Sequence, residues 1–229
     1  MATTSTYAFN PAASNLTLSA FARIGIRRTE ITAQHMADAE QESNLIQVEI
    51  SNRLPNLFAN ELYTQALTAS TATYTLPSRM LAFQAAYLTT TSGGVSTDRL
   101  IFPFSAYEYA AIADKTQEGP PTTYYLNTIV PPEITFWPVP DDNATYTFKA
   151  RILRQLQDAS LRNGYTADVP YRCLDTWVAK LAHRLARIYA PDKEQLRKAD
   201  ADEAWAVFAT TDQEQVPLYI NPYTASYFG

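Results

Sequence analysis

Residues 133–153, EITFWPVPDDNATYTFKARIL, limit the possible folds of this chain more than any other stretch. Two runs of alternating apolar and polar residues, 134–139 and 145–152, flank a Pro-Asp-Asp-Asn cluster. A period of two buries one face of a strand, and Pro, Asp and Asn favour turns, so the pattern predicts an antiparallel strand pair. Pro138 and Pro140 have no N–H to give a ladder, which puts the first strand at a sheet edge or ends it there. Helical periodicity lies on both sides, so a β module is expected inside a helical body.

The helical portions are read from spacing and caps. Leu16, Ala20 and Ile24 recur at helical intervals, and Gly25 stands where a left-handed stop belongs. Thr32 is the N-cap expected for a second helix, whose apolar face is Met36, Ala39, Ser43, Ile46 and Ile50. After a turn at Asn163-Gly164, Pro170 opens a third long helix with the stripe Leu174, Trp177, Val178, Leu181, Leu185 and Ile188. Pro191 stops it and stands at the start of a fourth, buried through Ala201, Ala204, Trp205 and Phe208. The predicted class is α+β: a mainly helical four-helix body from the two ends of the chain, an inserted antiparallel β module, and an extended C-terminal tail.

The expected divisions are 1–56 for an N-terminal arm and helices, 57–157 for the β module, 158–210 for the C-terminal helices and 211–229 for the tail. Eight of the 14 prolines lie between Pro77 and Pro140. Strands are expected at 62–68, 72–75, 81–90, 99–102, 122–126, 134–137 and 145–153, with a Ser92-Gly93-Gly94 turn. Ser105 and Glu108 form a capping box for a short helix over 106–113. The tail carries Leu218, Tyr219, Ile220, Tyr223, Tyr227 and Phe228, while Pro217 and Pro222 prevent a helix. So much apolar surface either folds back on the body or docks on another subunit or partner.

A formal charge of −5 and a pI near 5.1 argue against capture of nucleic acid on a basic face. The lone cysteine, Cys173, rules out an intrachain disulfide and reads as a buried thiol near Trp177. Residues 1–14 carry no signal-peptide pattern and no run is long enough to span a membrane, so synthesis in a reducing cytoplasm is expected. Two histidines, His35 and His183, cannot make a three-histidine metal site. Neither a G-x-S-x-G elbow nor a phosphate-binding glycine loop occurs. Asp141-Asp142 reads as a solvated turn. No catalytic, metal-binding or cofactor-binding residues are assigned, and no cofactor is expected.

Lys180, His183, Arg184 and Arg187 share one face of the third long helix. They read either as a solvated face pairing with Glu194, Asp200 and Glu203 or as a basic strip for an acidic partner or DNA. Arg23, Arg27 and Arg28 pose the same choice.

Several segments, in order, resemble the head-to-tail adaptor proteins of short-tailed bacteriophages. They are NLTLSAFARIGI, TEITAQHMADAEQESNLIQVEIS, YTLPSRM, FPFSAYEYAAIADKTQEGPPTTYYL, ITFWPVPDDNATYTFKARI and VPYRCLDTWVAKLAHRLARIYAP. The likeness runs from about Asn15 to Tyr223 and rests on order and spacing, since each segment alone is a pattern of apolar and turn residues. It implies a non-enzymatic virion protein of the neck, forming a twelve-subunit ring under the portal protein after DNA packaging. By this likeness the helices and tail grip the portal, with Leu218, Tyr219, Ile220, Tyr223, Tyr227 and Phe228 as anchors. The β module then faces tail nozzle or fibre proteins, and DNA slides through the lumen without sequence-specific binding. The alternatives are a peptidoglycan-degrading tail enzyme, motivated by scattered carboxylates, and a carbohydrate-binding tail module, motivated by 15 tyrosines and three tryptophans.

Overall fold

A computed structural model describes residues 5–53, 57–162 and 164–212. Helix α1 (Ala13–Ile24) buries Leu16, Ala20, Phe21 and Ile24. Gly25, at φ 93°, ends it, and Ile26 N–H donates to the Phe21 carbonyl at 3.0 Å, closing a left-handed cap. Helix α2 (Ala33–Arg53) begins with a reciprocal pair: His35 N–H donates to Thr32 Oγ1 at 3.3 Å, and Thr32 N–H donates to His35 Nδ1 at 3.0 Å. An imidazole thus takes the place of the usual Glu of a capping box.

Helix α4 (Leu174–Tyr189) is the shared partner of the helical part. Helices α1, α2 and α5 (Glu194–Thr211) each pack on it, around the fully buried Trp177. Ile188 ends the predicted stripe in solvent, while Leu174, Trp177, Val178, Leu181 and Leu185 are buried. Helices hold 42 % of the described residues, so the molecule is α+β but not mainly helical.

The β module is two four-stranded sheets packed face to face. The first has the order β1 (Asn60–Ala66), β8 (Thr145–Arg154), β3 (Met80–Ser92), β4 (Val95–Leu100), all antiparallel. The second has the order β2 (Thr73–Thr75), β7 (Glu133–Trp137), β6 (Thr123–Asn127), β5 (Phe102–Phe104). Phe136 of one sheet meets Phe148 of the other edge-on at 5.0 Å between ring centres, with Tyr124, Leu88, Ile134 and Ile152 around them. Gly93 and Gly94, at φ 57° and 82°, form the two-residue turn of the β3–β4 hairpin. The expected strand at 99–102 is instead two strands, because the chain passes from the first sheet to the second at the buried Ile101.

Two expectations are corrected. The alternating runs on either side of Pro140 do not pair: β7 lies inside the second sheet and β8 inside the first. Backbone groups that could have begun a hairpin are taken elsewhere. Val139 N–H donates to the Gln117 carbonyl at 2.9 Å, its carbonyl accepts from Gly119 at 2.8 Å, and the Pro140 carbonyl accepts from Ser70. The chain is therefore handed across the sandwich, and both runs bury their apolar faces in one core from opposite sides. Of the two places the prolines left for β7, the structure takes the second: the strand ends at Trp137, before Pro138, with β2 and β6 on either side of it. The second correction concerns direction: β5 and β6 are parallel. Helix α3 (Ala106–Ala111), opened by the Ser105–Glu108 capping box, lies in the connection that returns the chain to the same end, as a parallel pair requires.

Candidate interaction surfaces

Residues three and four apart on α4 share a face, which brings Lys180, Arg184 and Arg187 into one line. The structure sets most of that line against α2. Lys180 Nζ donates to Glu49 Oε1 at 2.8 Å, and Arg184 bridges Glu42 at 3.0 Å and Glu49 at 2.9 Å. Arg53 reaches Glu49 from α2 itself at 2.7 Å. Trp205 of α5 covers this knot: the Lys180 ammonium lies 4.8 Å and the Arg53 guanidinium 5.3 Å from its ring centre. Burial works to raise the Glu49 carboxyl, but hydrogen bonds from Lys180 and Arg184, with the charges of Lys180 and Arg53, hold it down to about 2.

Lys180 is 6 % exposed, so the charges of Lys180 and Arg184 are met within the chain. Arg187, with a side chain 62 % exposed, stands free of α2, 3.6 Å from Glu194. His183 is 3.9 Å from the same carboxylate, and burial lowers its pKa. Of the acids expected to face the strip, Glu194 does so, whereas Asp200 pairs with Arg197 at 2.9 Å. Glu42 and Glu49 went unread as partners, although their spacing of seven on one helix face was a signal for them. Arg23 is bound to Asp175 at 2.5 Å, tying α1 to α4.

Asp141 is a turn residue, accepting from Asn143 N–H at 3.2 Å, Asn143 Nδ2 at 2.9 Å and Tyr146 Oη at 2.8 Å. The side chains of Asn143 and Tyr146 hold its carboxyl below the usual range. Cys173 is fully buried, and burial pushes its thiol up to about 12. Among the described residues no group of three His, Cys, Asp or Glu side chains is placed to hold a metal ion. The six predicted tail anchors, Leu218, Tyr219, Ile220, Tyr223, Tyr227 and Phe228, lie outside the described residues.

A surface that sequence reasoning missed lies on the β module. All six residues of β4 are exposed, and Val95, Leu100 and the following Phe102 are each more than 60 % exposed. Alternation within 95–100 is weak, so the expected strand began only at 99 and left 95–98 unread. A family model described as SU10 adaptor protein matches residues 13–220, from the first residue of α1 past the end of α5.

The chain belongs to the SU10 adaptor family, a family of phage head-to-tail adaptors. The adaptor is thus a structural phage protein. A comparison with curated proteins finds no match. No helix of the adaptor, among the described residues, is long and apolar enough to cross a membrane.

Proposed function

We propose that this adaptor completes the neck of a short-tailed phage as a homo-oligomeric ring beneath the portal protein. The ring, twelve subunits by family resemblance, extends the DNA channel and gives the tail nozzle or fibre proteins their attachment site. The helices α1, α2, α4 and α5, as one four-helix body, face the portal together with the tail from 211 onward. The β module projects toward the tail. The observation that carries this reading is the family match over residues 13–220, which runs through helices and β module alike. Charge supports it too: a net −5 suits a channel wall that DNA passes without sticking. Lys180 and Arg184 are held by Glu42 and Glu49, which leaves Arg187 as the strip residue best placed to meet an acidic partner surface.

Electron microscopy of the purified chain mixed with the portal of the same phage tests the proposal. The expected result is a closed ring of added mass on one face of the portal. Portal particles unchanged by saturating adaptor would rule it out.

A further inference from the structure

The two sheets differ in how they end. The second sheet stops on three-residue strands, β2 and β5, and β5 carries Pro103 in its middle. Short edge strands and proline are the usual protection against stray edge pairing. The first sheet stops on longer strands, seven residues in β1 and six in β4, with neither proline nor lysine in them. Among the described residues no further strand pairs with the outer side of either.

We propose that these two open edges pair with each other between copies, β4 of one chain adding to β1 of the next. This deepens the ring reading and rests on it for closure; the pairing itself is argued from the edges. Direction fits first. The sheet has four antiparallel strands, so β1 and β4 run in opposite directions, and a second copy in the same orientation continues the alternation without a break.

Hydrogen-bond phase fits next. Leu67 N–H donates to the Tyr146 carbonyl, and the β1–β8 register then turns the backbone groups of Tyr63 and Gln65 toward β8. Those of Leu62, Thr64 and Ala66 point outward. On β4 the tight Ser92–Val95 turn and the bond from Ile101 N–H to the Ala86 carbonyl turn Val95, Thr97 and Arg99 toward β3. Ser96, Asp98 and Leu100 point outward. The outward residues of both edges also carry their side chains on the same outer face, as a bonded antiparallel pair requires.

One register uses the whole of both strands: Leu62 opposite Leu100, Thr64 opposite Asp98, and Ala66 opposite Ser96. It joins two leucines that are 48 % and 63 % exposed in the single chain. Asp98 accepts from Thr89 at 2.6 Å, and its carboxylate has lone pairs left for the Thr64 hydroxyl. On the other face Leu67 comes opposite Val95. A slip of one residue breaks the phase, and a slip of two sets Leu62 against Asp98 or Leu100 against Thr64. Gln65 Nε2 donates to the Ala66 carbonyl at 2.8 Å, a local bond that an incoming strand replaces. One such seam is smaller than the roughly 1,200–2,000 Å² of a stable interface, so copies separate on dilution and hold once closure gives each of them two seams.

The test is a full-length chain carrying Leu62→Cys and Leu100→Cys, oxidised at high protein concentration, alone and on the portal. Within one chain the two positions are three strand spacings apart, roughly 14 Å, beyond the reach of a disulfide. Native Cys173 is buried and does not contribute. The expected result is a ladder of disulfide-linked multimers on a non-reducing gel. The pair Leu62→Cys with Thr97→Cys, on opposite faces, should give none. A second variant, Thr64→Pro, removes one outward N–H and no bond within the chain; it should keep its circular dichroism and lose self-association. A monomeric band from the double-cysteine chain, a ladder of equal strength from the control pair, or undiminished association of Thr64→Pro would overturn the edge pairing. If wild-type chains ring the portal while the double-cysteine chain gives no ladder, the adaptor reading stands and only this interface falls.

Discussion

At the scale of single residues, the most consequential side chain is Glu49. It gathers Lys180, Arg184 and Arg53 into one knot between α2 and α4. Its folded pKa of about 2 lies below the ordinary 4.5, so its stabilisation is present above pH 4.5 and is lost as pH falls toward 2. Partial solvent exposure limits that contribution to something on the order of 2 kcal/mol. Glu49→Gln should lower stability at pH 7 by about 3 kcal/mol, since it leaves the buried Lys180 ammonium poorly paired. It should also flatten the fall in stability between pH 4.5 and 2, read by urea denaturation at each pH. An unchanged acid limb would show that the knot does not govern acid sensitivity. Cys173 makes a simpler claim: fully buried, with its thiol pushed to about 12, it should resist a thiol reagent at pH 8 until the chain unfolds. Fast labelling of the native adaptor would contradict the packing around Trp177.

At the scale of elements, local chemistry is dependable where a cap or turn depends on a few adjacent residues. Thr32, Gly25, the Ser105–Glu108 box and Gly93-Gly94 all act as their residue types predict. Gly25 has a second reason to be glycine. A Cβ there would lie 2.6 Å from Lys193 Nζ, whose ammonium donates to the Ile24 carbonyl at 2.7 Å. Gly25→Ala should therefore cost about 1–2 kcal/mol, from the left-handed backbone and a displaced Lys193. Thermal unfolding measures this, and a neutral effect would mean that the α1 cap is not tightly held. The apolar stripes of α2 and α4 were equally legible, because burial on a helix follows its period. The first part of β4, 95–98, was not, since an exposed edge strand shows no alternation to read.

At the scale of the whole molecule, the helical and β cores are separate apolar clusters, and hydrogen bonds tie the segment between β8 and α4 to both. Asp168, ahead of α4, accepts from Arg154 at the end of β8 at 2.5 and 3.1 Å and from Gln157 N–H at 2.8 Å. Asn44 of α2 donates to the Ala159 carbonyl at 3.2 Å and accepts from its N–H at 2.7 Å. Asp168→Ala should cost about 2–3 kcal/mol and speed hydrogen exchange at the end of β8 and around 157–168, while the centres of α4 and β3 stay protected. Uniform acceleration would instead mean a single cooperative unit. Truncation after Asp212 removes Leu218, Tyr219, Ile220, Tyr223, Tyr227 and Phe228, the residues proposed as portal anchors. The shortened adaptor should remain folded and lose portal binding in a pull-down, and retained binding would move the anchor elsewhere.

The alternating runs around Pro140 show where local reading ends. Their period alone determined that 134–137 and 145–153 are strands with one buried face, just as spacing determined the helices and their caps. It held no information about which sheet each strand would join, because pairing is a contact between residues far apart in sequence. That was decided by Gln117, Gly119 and Ser70 taking the backbone groups of Val139 and Pro140. Likewise the charges of Lys180 and Arg184 were plain in the sequence, but only the packing of α2 on α4 supplied their partners. A period reports which side of an element is dry, and the tertiary structure alone decides what lies against it.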